Sequence, residues 1–368
     1  MGDFFYTIIM NFALHLPINA VSFGQVSVGL LREIHSRGLL PSLFLIGQPD
    51  LSAYNVTEDF QKWLNECIKK GLLDHSRYNP IFKLWHLNGS MESFSNNQIL
   101  LTFHETDQLT PFETNVIKNN YKVLVTSEFS KNVFQANGAK NVDKIPLFFD
   151  SLNFFRQEKK YFEDDRITFN LVGKFEHRKR TTNTIRAWVK KYGDNPAYEL
   201  RCAIYNSFLS PEDNQKIVNM ITEGKSYFNL KFLSFMPKNN MYNEYLNSGN
   251  IIIGASGGEG FGLGEMHSLA LGKHGIMLAA HSYTEFANNN NAVMFDPCGK
   301  IPAYDGMFFH PNQPFNQGNF FDWDNDSFIN ACEEAIRRVR MDRVNHEGMK
   351  LQSKFTVKNT VDQILSYF

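Results

Sequence analysis

Short apolar runs alternate with segments of helical periodicity along most of this 368-residue sequence. The runs are rich in Val, Ile, Leu and Phe, which is typical of strands buried on both faces of a parallel sheet. Parallel strands need crossover connections, so the pattern predicts an α/β fold with helices covering each sheet. The predicted strands are Phe5–Phe12, Ser42–Ile46, Ile81–Leu87, Ile99–Phe103, Lys122–Thr126, Thr168–Val172, Glu199–Tyr205, Asn229–Leu233, Ile251–Ala255 and Gly275–Ala279.

A charged stretch, Arg156–Arg166, interrupts this rhythm near the middle of the chain. The length fits two domains of ordinary size, and boundaries fall where the apolar pattern breaks. We therefore predict a first Rossmann-like domain over residues 1–150 and a second over residues 165–355. The last helix, residues 357–368, carries an apolar face that must pack on something, and the first domain is one candidate.

Composition excludes several classes of protein. The formal net charge is −1, so no overall field favours nucleic acid, and any anion site must be a local cluster. The four cysteines are scattered without metal-ligand spacing, as expected of free thiols in a reducing compartment. The apolar segment Phe4–Leu16 is too short to span a bilayer. We expect a cytoplasmic protein, for which peripheral membrane contact stays open.

The densest glycine cluster, Gly257–Gly264, lies between a predicted strand and a predicted helix. Such a loop presents backbone N–H groups and the positive end of the helix dipole to an anion, usually phosphate. Glu259 inside it would repel phosphate, but it could accept hydrogen bonds from the hydroxyls of a neutral group attached to that phosphate. The alternative is a tight turn in which Glu259 is solvated.

A second cluster, Gly173–Arg180, has the sequence GKFEHRKR and directly follows the predicted strand Thr168–Val172. Ligands bind at the carboxyl ends of strands in open α/β sheets. Basic residues at the start of a helix oppose its dipole, so an anion such as a diphosphate would offset their cost. The alternative is a solvated first helical turn.

Two further segments would face the same cleft from the first domain. His104 ends a predicted strand in LLTFHETD, and Gly24 with Gln25 precedes the first helix. The aromatic stretch Ile301–Trp323 has little periodicity. Its aromatic rings could contact sugars, or they could pin a surface loop.

These segments, in this order, resemble the retaining GT-B glycosyltransferases of glycosyltransferase group 1, or family four. SGGEGFGLGEMHSLALGK is similar to the family's E-x7-E loop, and GKFEHRKR to its Gly-Arg/Lys loop. LLTFHETD is similar to the strand ending in a histidine near the donor. SEFSKNVFQANGAKNVDKIPLFFD is similar to the helix and strand before the linker, so the resemblance spans roughly Phe5–Pro297.

The resemblance implies a GT-B fold of two Rossmann-like domains facing a donor-binding cleft, with the first domain on the acceptor side and the second binding the nucleotide sugar. It implies that Lys174 and Lys179, with Arg180 as the competing candidate, neutralise the donor diphosphate. Glu259 would accept hydrogen bonds from the donor sugar, and His104 would lie beside that sugar. The remaining donor-binding residues that it implies are Gly24, Gln25, Ser234, Met236, Gly260, Phe261, Gly262 and Leu263.

One position departs from the family. The second Glu of the E-x7-E loop, which accepts the ribose hydroxyls, is replaced here by His267. A neutral imidazole can supply only part of that bonding. Glu265, two positions earlier, is expected to face elsewhere on the helix.

The resemblance implies transfer of a sugar from a nucleotide-diphosphate sugar to a sugar, glycan or lipid-linked acceptor, with retention of anomeric configuration. The cysteines and histidines of the sequence form no cluster with metal-ligand spacing, and we expect neither a metal nor another cofactor. Two alternatives stay open. One is a non-catalytic GT-B-fold subunit that binds a nucleotide, and the other is a nucleotide-sugar epimerase.

Overall fold

A computed structural model describes residues 11–157 and 165–368, and two six-stranded parallel sheets organise it. The first sheet has the order β2-β1-β3-β4-β5-β6. α-Helices connect its successive strands except β3 and β4, which are joined by a loop containing a single 3-10 turn, Leu87–Gly89. Its elements are β1 (Ala13–Leu16), α1 (Ser22–Ser36), β2 (Ser42–Leu45), α2 (Glu58–Asp74), β3 (Ile81–Leu84), β4 (Gln98–Thr102), α3 (Pro111–Lys118), β5 (Lys122–Val125), α4 (Glu128–Ala136) and β6 (Val142–Lys144).

The second sheet has the order β12-β11-β10-β7-β8-β9. The order of its strands reverses between β10 and β7, which leaves a crevice at their carboxyl ends. Its elements are β7 (Ile167–Val172), α5 (Thr181–Tyr192), β8 (Tyr198–Ala203), α6 (Pro211–Thr222), β9 (Leu230–Phe232), α7 (Asn239–Asn247), β10 (Ile251–Gly254), α8 (Leu263–Ala270), β11 (His274–Leu278) and β12 (Val293–Phe295).

A two-stranded antiparallel ribbon and four helices complete the described chain. The ribbon pairs β13 (Gly299–Pro302) with β14 (Asn319–Asp322), so the aromatic stretch is not a plain loop. Phe309 and Phe320 anchor it by burial. The helices are α9 (Asn325–Met341), α10 (His346–Met349), α11 (Leu351–Lys354) and α12 (Val357–Leu365).

Local sequence accounts for where the helices begin. Ser210 accepts a hydrogen bond from the backbone N–H of Asp213, with Pro211 in the first turn of α6. Thr110 and Glu113 form a reciprocal capping box at the start of α3. None of the helices formed by the described residues is both long and apolar enough to cross a bilayer.

Most of the first predicted strand cannot be compared with the structure. Residues 5–10 of the predicted Phe5–Phe12 lie outside the described residues, and Asn11 and Phe12 are not in a strand. The paired segment is β1, with Ala13 opposite Ser42 and Ile81. The segment Phe4–Leu16 is apolar apart from Thr7, Asn11 and His15, and it has no two-residue alternation that locates the paired residues within it.

The chain crosses between the two sheets twice. It first passes to the second sheet between β6 and β7, where Phe149 N donates a hydrogen bond to Phe355 O at 2.8 Å. It returns at its end, where α12 packs on α1. Tyr367 donates to Asp143 Oδ2 at 2.8 Å and Arg37 pairs with Asp362 at 2.7 Å. The first sheet is therefore completed by the last helix of the chain.

Candidate functional site

Two loops meet at the crevice of the second sheet. The cationic loop (residues 173–180) follows β7 and the glycine loop (residues 255–262) follows β10. Gly257 N donates to Arg178 O at 2.7 Å and joins the two loops. Gly262 ends the glycine loop with φ +93°, a conformation that residues with a Cβ rarely adopt, and α8 begins directly after it.

Glu259 is the centre of the charges in this crevice. It is only 5% exposed, and its carboxylate pairs with the ammonium of Lys179. Arg178 Nη1 lies 3.5 Å from Glu259 Oε2 and donates to Gly258 O at 2.7 Å. Burial alone would raise the pKa of Glu259, but Lys179 and Arg178 outweigh it and hold that pKa at about 2. Glu259 is therefore ionised at any physiological pH.

Arg178 joins three carboxylates, one of which belongs to the first domain. Its Nη2 lies 3.0 Å from Glu176 Oε2 and 3.1 Å from Glu105 Oε1. Burial opposes its charge, yet the three carboxylates raise the pKa of Arg178. Burial raises the pKa of Glu105, and Glu259 and Glu176 add to the rise despite Arg178. The two domains therefore share one ion network.

Lys174 and Arg180 occupy different positions from Lys179. The Lys174 ammonium lies 4.4 Å from the centre of the Phe208 ring and 4.0 Å from Glu176 Oε1, with a third of its side chain exposed. Burial and the neighbouring cations lower its pKa, partly offset by Glu176. Arg180 instead pairs with Asp322 at the base of the ribbon. Lys174 is thus the more accessible cation beside the network.

The first domain closes against the glycine loop. Thr126 donates its hydroxyl to Gly260 O, and a Cβ at Gly258 would approach Glu105 O to 2.5 Å. Gln25 exchanges two side-chain hydrogen bonds with Asn239, at 2.8 and 3.1 Å. Small residues in the glycine loop therefore permit the close approach of the two domains.

Several residues predicted for the site, with His104 predicted as catalytic and Gly24 and Phe261 as donor-binding, lie away from the ion network. His104 is buried beside Thr106 and Phe134, and burial lowers its pKa to about 4. Gly24 packs on the backbone of Asn19. Phe261 is buried against other rings, so only its backbone could face a ligand.

The other residues predicted to bind the donor lie in the segments after β9 and β10. Ser234 is exposed and Met236 half-buried in the segment after β9, next to β8 at the sheet edge. Gly260 lies in the glycine loop before α8, and Leu263 is the first residue of that helix. The Leu263 carbonyl accepts a hydrogen bond from His267 Nδ1.

His267 faces the connection between the domains. Its Nε2 accepts from Asp150 N at 3.2 Å, which requires the proton on Nδ1, and Nδ1 donates to Leu263 O at 2.6 Å. Its ring packs on Phe154 with centroids 4.3 Å apart, and burial lowers its pKa to about 4. Glu265 lies on another side of α8, where it accepts from Tyr283 Oη at 2.8 Å. His267 therefore holds residues 150–154, the linker between the two sheets.

The sequence reasoning missed Arg178 and Glu105 as members of the network. Arg178 was one of several cations in the cationic loop, and spacing alone could not show which of them turns inward. Glu105 follows His104, and adjacent residues on an extended segment point to opposite sides. That alternation was the available signal for choosing Glu105 over its neighbour.

The sequence matches no protein-family model and no curated protein sequence. Solved structures match over the whole chain. Sucrose-phosphate synthase from Thermosynechococcus elongatus has a TM-score of 0.66 at 14% identity, covering 97% of this chain and 98% of that one. HepE of Anabaena in complex with UDP-glucose has a TM-score of 0.64 at 12% identity, with coverages of 97% and 100%. The catalytic domain of starch synthase IV from Arabidopsis thaliana, bound to ADP and acarbose, has a TM-score of 0.61 at 11% identity, covering 97% of this chain and 98% of that one.

These similarities establish the class of fold. The two facing Rossmann-like sheets are the GT-B fold of glycosyltransferases, as the sequence predicted. No three His, Cys, Asp or Glu side chains within residues 11–157 and 165–368 are grouped as metal ligands.

The environment of His267 generates a stability prediction. His267→Glu places a carboxylate against Phe154 and the Leu263 carbonyl, so the free energy of unfolding should fall by roughly 2–5 kcal/mol. Denaturant melts of the variant measure this fall. His346→Glu, at an exposed position of α10, is the control and should change it by about 0.5 kcal/mol or less. An unchanged or raised stability in His267→Glu would show that the position is not a neutral core site.

Proposed function

We propose that this protein is a glycosyltransferase that moves a sugar from a nucleotide-diphosphate sugar to a sugar, glycan or lipid-linked acceptor. The observation that carries the proposal is the ionised Glu259, held by Lys179 and Arg178 at the crevice of a GT-B fold. Cations for a diphosphate and a carboxylate for sugar hydroxyls meet there within one network. HepE, a protein of the same fold, is solved in complex with UDP-glucose.

The cationic loop and the start of α8 would hold the donor diphosphate. Lys174 and Lys179 supply charge from β7, and the first N–H groups of α8 add the positive end of a helix dipole. Negative charge grows on the phosphate as the glycosidic bond breaks. Preorganised donors stabilise that charge where it develops, which lowers the barrier to transfer.

Glu259 would bind the donor sugar. Its low pKa keeps it ionised, and ionised acceptors form stronger hydrogen bonds with hydroxyls than neutral ones do. Its pairing with Lys179 compensates both charges. An entering diphosphate would take over Lys179, and the sugar hydroxyls would take over Glu259.

Retention of anomeric configuration rests on the family resemblance, in which the departing phosphate helps to deprotonate the acceptor. Within the described residues, every carboxylate of the network pairs with Arg178 or Lys179. We assign none of them as a nucleophile, because Glu259 is the group that accepts the sugar hydroxyls.

A non-catalytic nucleotide-binding subunit is the second candidate. It is favoured by the position of His267, which is engaged with the linker rather than facing a ribose. Such a subunit would bind nucleotide without consuming it. Release of free sugar from the donor, followed over time, separates the two candidates.

Substitution of Glu259 tests the proposal. Glu259→Gln keeps the size and one acceptor oxygen but frees Lys179 and removes one negative charge from the crevice, so the bare nucleoside diphosphate should bind more tightly than to wild type. Transfer should fall by about 10²-fold or more, as when a preorganised charge is lost. Calorimetric titration and steady-state rates measure the two effects. Glu347→Gln, exposed on α10, is the control and should behave as wild type. Equal binding and equal turnover in Glu259→Gln would remove this residue from the site.

Metal independence is a separate prediction. The charge that neutralises the diphosphate would come from Lys174, Lys179 and α8, so turnover should persist at wild-type rate in excess EDTA. Rates measured after dialysis against EDTA, with and without added Mg²⁺ or Mn²⁺, check this. Activity that disappears on chelation and returns with either metal would contradict it.

A further inference from the structure

An aromatic face lies at the crevice of the first sheet and plays no part in the donor site. It consists of Phe23, at the start of α1, with Trp85 and His86, which directly follow β3. The Phe23 ring lies 4.6 Å from that of His86 and 5.6 Å from that of Trp85, between centroids. Phe23 and Trp85 are half-buried and His86 is exposed.

The segment that carries Trp85 and His86 is firmly held. Lys83, only 2% exposed, donates its buried ammonium to Gly89 O at 3.0 Å and Glu92 O at 2.6 Å. Trp85 lies over Gly89, where a Cβ would come within 2.6 Å of the indole nitrogen. The aromatic face is therefore a fixed surface rather than a mobile loop.

The aromatic face borders the glycine loop. The Phe23 ring also lies 4.7 Å from that of Phe103, between centroids, and a Cβ at Gly260 would come within 2.6 Å of Phe103. Desolvation, with smaller contributions from the charges of Lys174 and Arg178, lowers the pKa of His86, so its imidazole is neutral near pH 7. In the parts of the chain that the structure describes, neither of its ring nitrogens has a hydrogen-bond partner. One nitrogen can accept a hydrogen bond and the other can donate one.

We propose that the aromatic face binds the sugar ring of the acceptor, with His86 hydrogen-bonded to an acceptor hydroxyl. This inference rests on the proposed function. Aromatic rings offer an apolar surface for the C–H face of a sugar, and a polar group beside them fixes its orientation. The donor groups have their partners on the loops of the second sheet, at Lys179 and Glu259. The aromatic face belongs to the opposite wall of the cleft, from which a nucleophile would approach the donor.

The test separates acceptor binding from donor binding. Wild type is assayed with UDP-, GDP-, ADP- and TDP-sugars against methyl and p-nitrophenyl glycosides of glucose, galactose, mannose and N-acetylglucosamine. His86→Ala and Trp85→Ala should each raise the acceptor KM about tenfold or more, through the loss of one hydrogen bond or one stacked ring. The donor Kd, measured by calorimetry, should change less than about twofold. His86→Gln retains an acceptor and a donor group and should recover most of the affinity.

His346→Ala is the matched control, because it removes an exposed histidine outside the cleft, and it should leave both constants unchanged. An unchanged acceptor KM in the His86 and Trp85 variants would overturn the inference, as would an equal loss of donor affinity. If wild type hydrolyses a donor but transfers its sugar to none of the glycosides, the inference about the acceptor is overturned and the donor site remains. Wild type that consumes no donor would overturn the proposed function, and this inference with it.

Discussion

The pairing of Glu259 with Lys179 and Arg178 is the interaction on which the candidate site depends. A buried carboxylate without a partner would protonate, and buried cations without one would repel each other. Their mutual compensation lets the glycine loop and the cationic loop meet in the crevice of one sheet. Removing one partner from such a group costs far more than the net value of the pair, so the network constrains every residue around it.

The network also joins the two domains. Arg178 reaches Glu105 of the first domain, and Thr126 of that domain binds the glycine loop at Gly260. On the far side of the cleft, Asp107 accepts from Asn319 N at 2.8 Å and pairs with Lys300 at the same distance. The ribbon is thereby held to the first domain. A ligand that enters the cleft must exchange some of these contacts for its own, which couples binding to the position of the domains.

The fold and the two loops of the second sheet could be predicted from sequence because both depend on local patterns. Buried parallel strands are continuous apolar runs, and the loops after β7 and β10 are marked by glycine and charge. Contacts between residues that lie far apart in the sequence were harder to predict. The sequence could indicate that His267 replaces a glutamate, but its partners, Asp150 N and Phe154, lie more than a hundred residues away in the chain. Glu105 was hidden by its neighbour His104, a residue type more often associated with chemistry.

The aromatic face of the first domain could not be predicted either, because it too is formed by residues that lie far apart in the sequence. Trp85 and His86 carried no motif, and their significance comes from lying against Phe23 of α1 on one aromatic face. That arrangement depends on how the segment after β3 packs on α1, which no single-strand pattern encodes. Packing was easier to anticipate, since the apolar face of α12 required a partner and found it on α1.

The most direct test of a nucleotide-sugar site in this crevice is thermal unfolding of the wild-type protein with UDP-, GDP-, ADP- and TDP-sugars. A ligand that binds only the folded chain raises its stability by about 2.7 kcal/mol at a hundredfold excess over Kd. At least one of these donors should therefore raise the Tm by several degrees, and more than the free sugar or inorganic phosphate does at the same concentration. An unchanged Tm across all four donors at millimolar concentration would contradict the presence of the site.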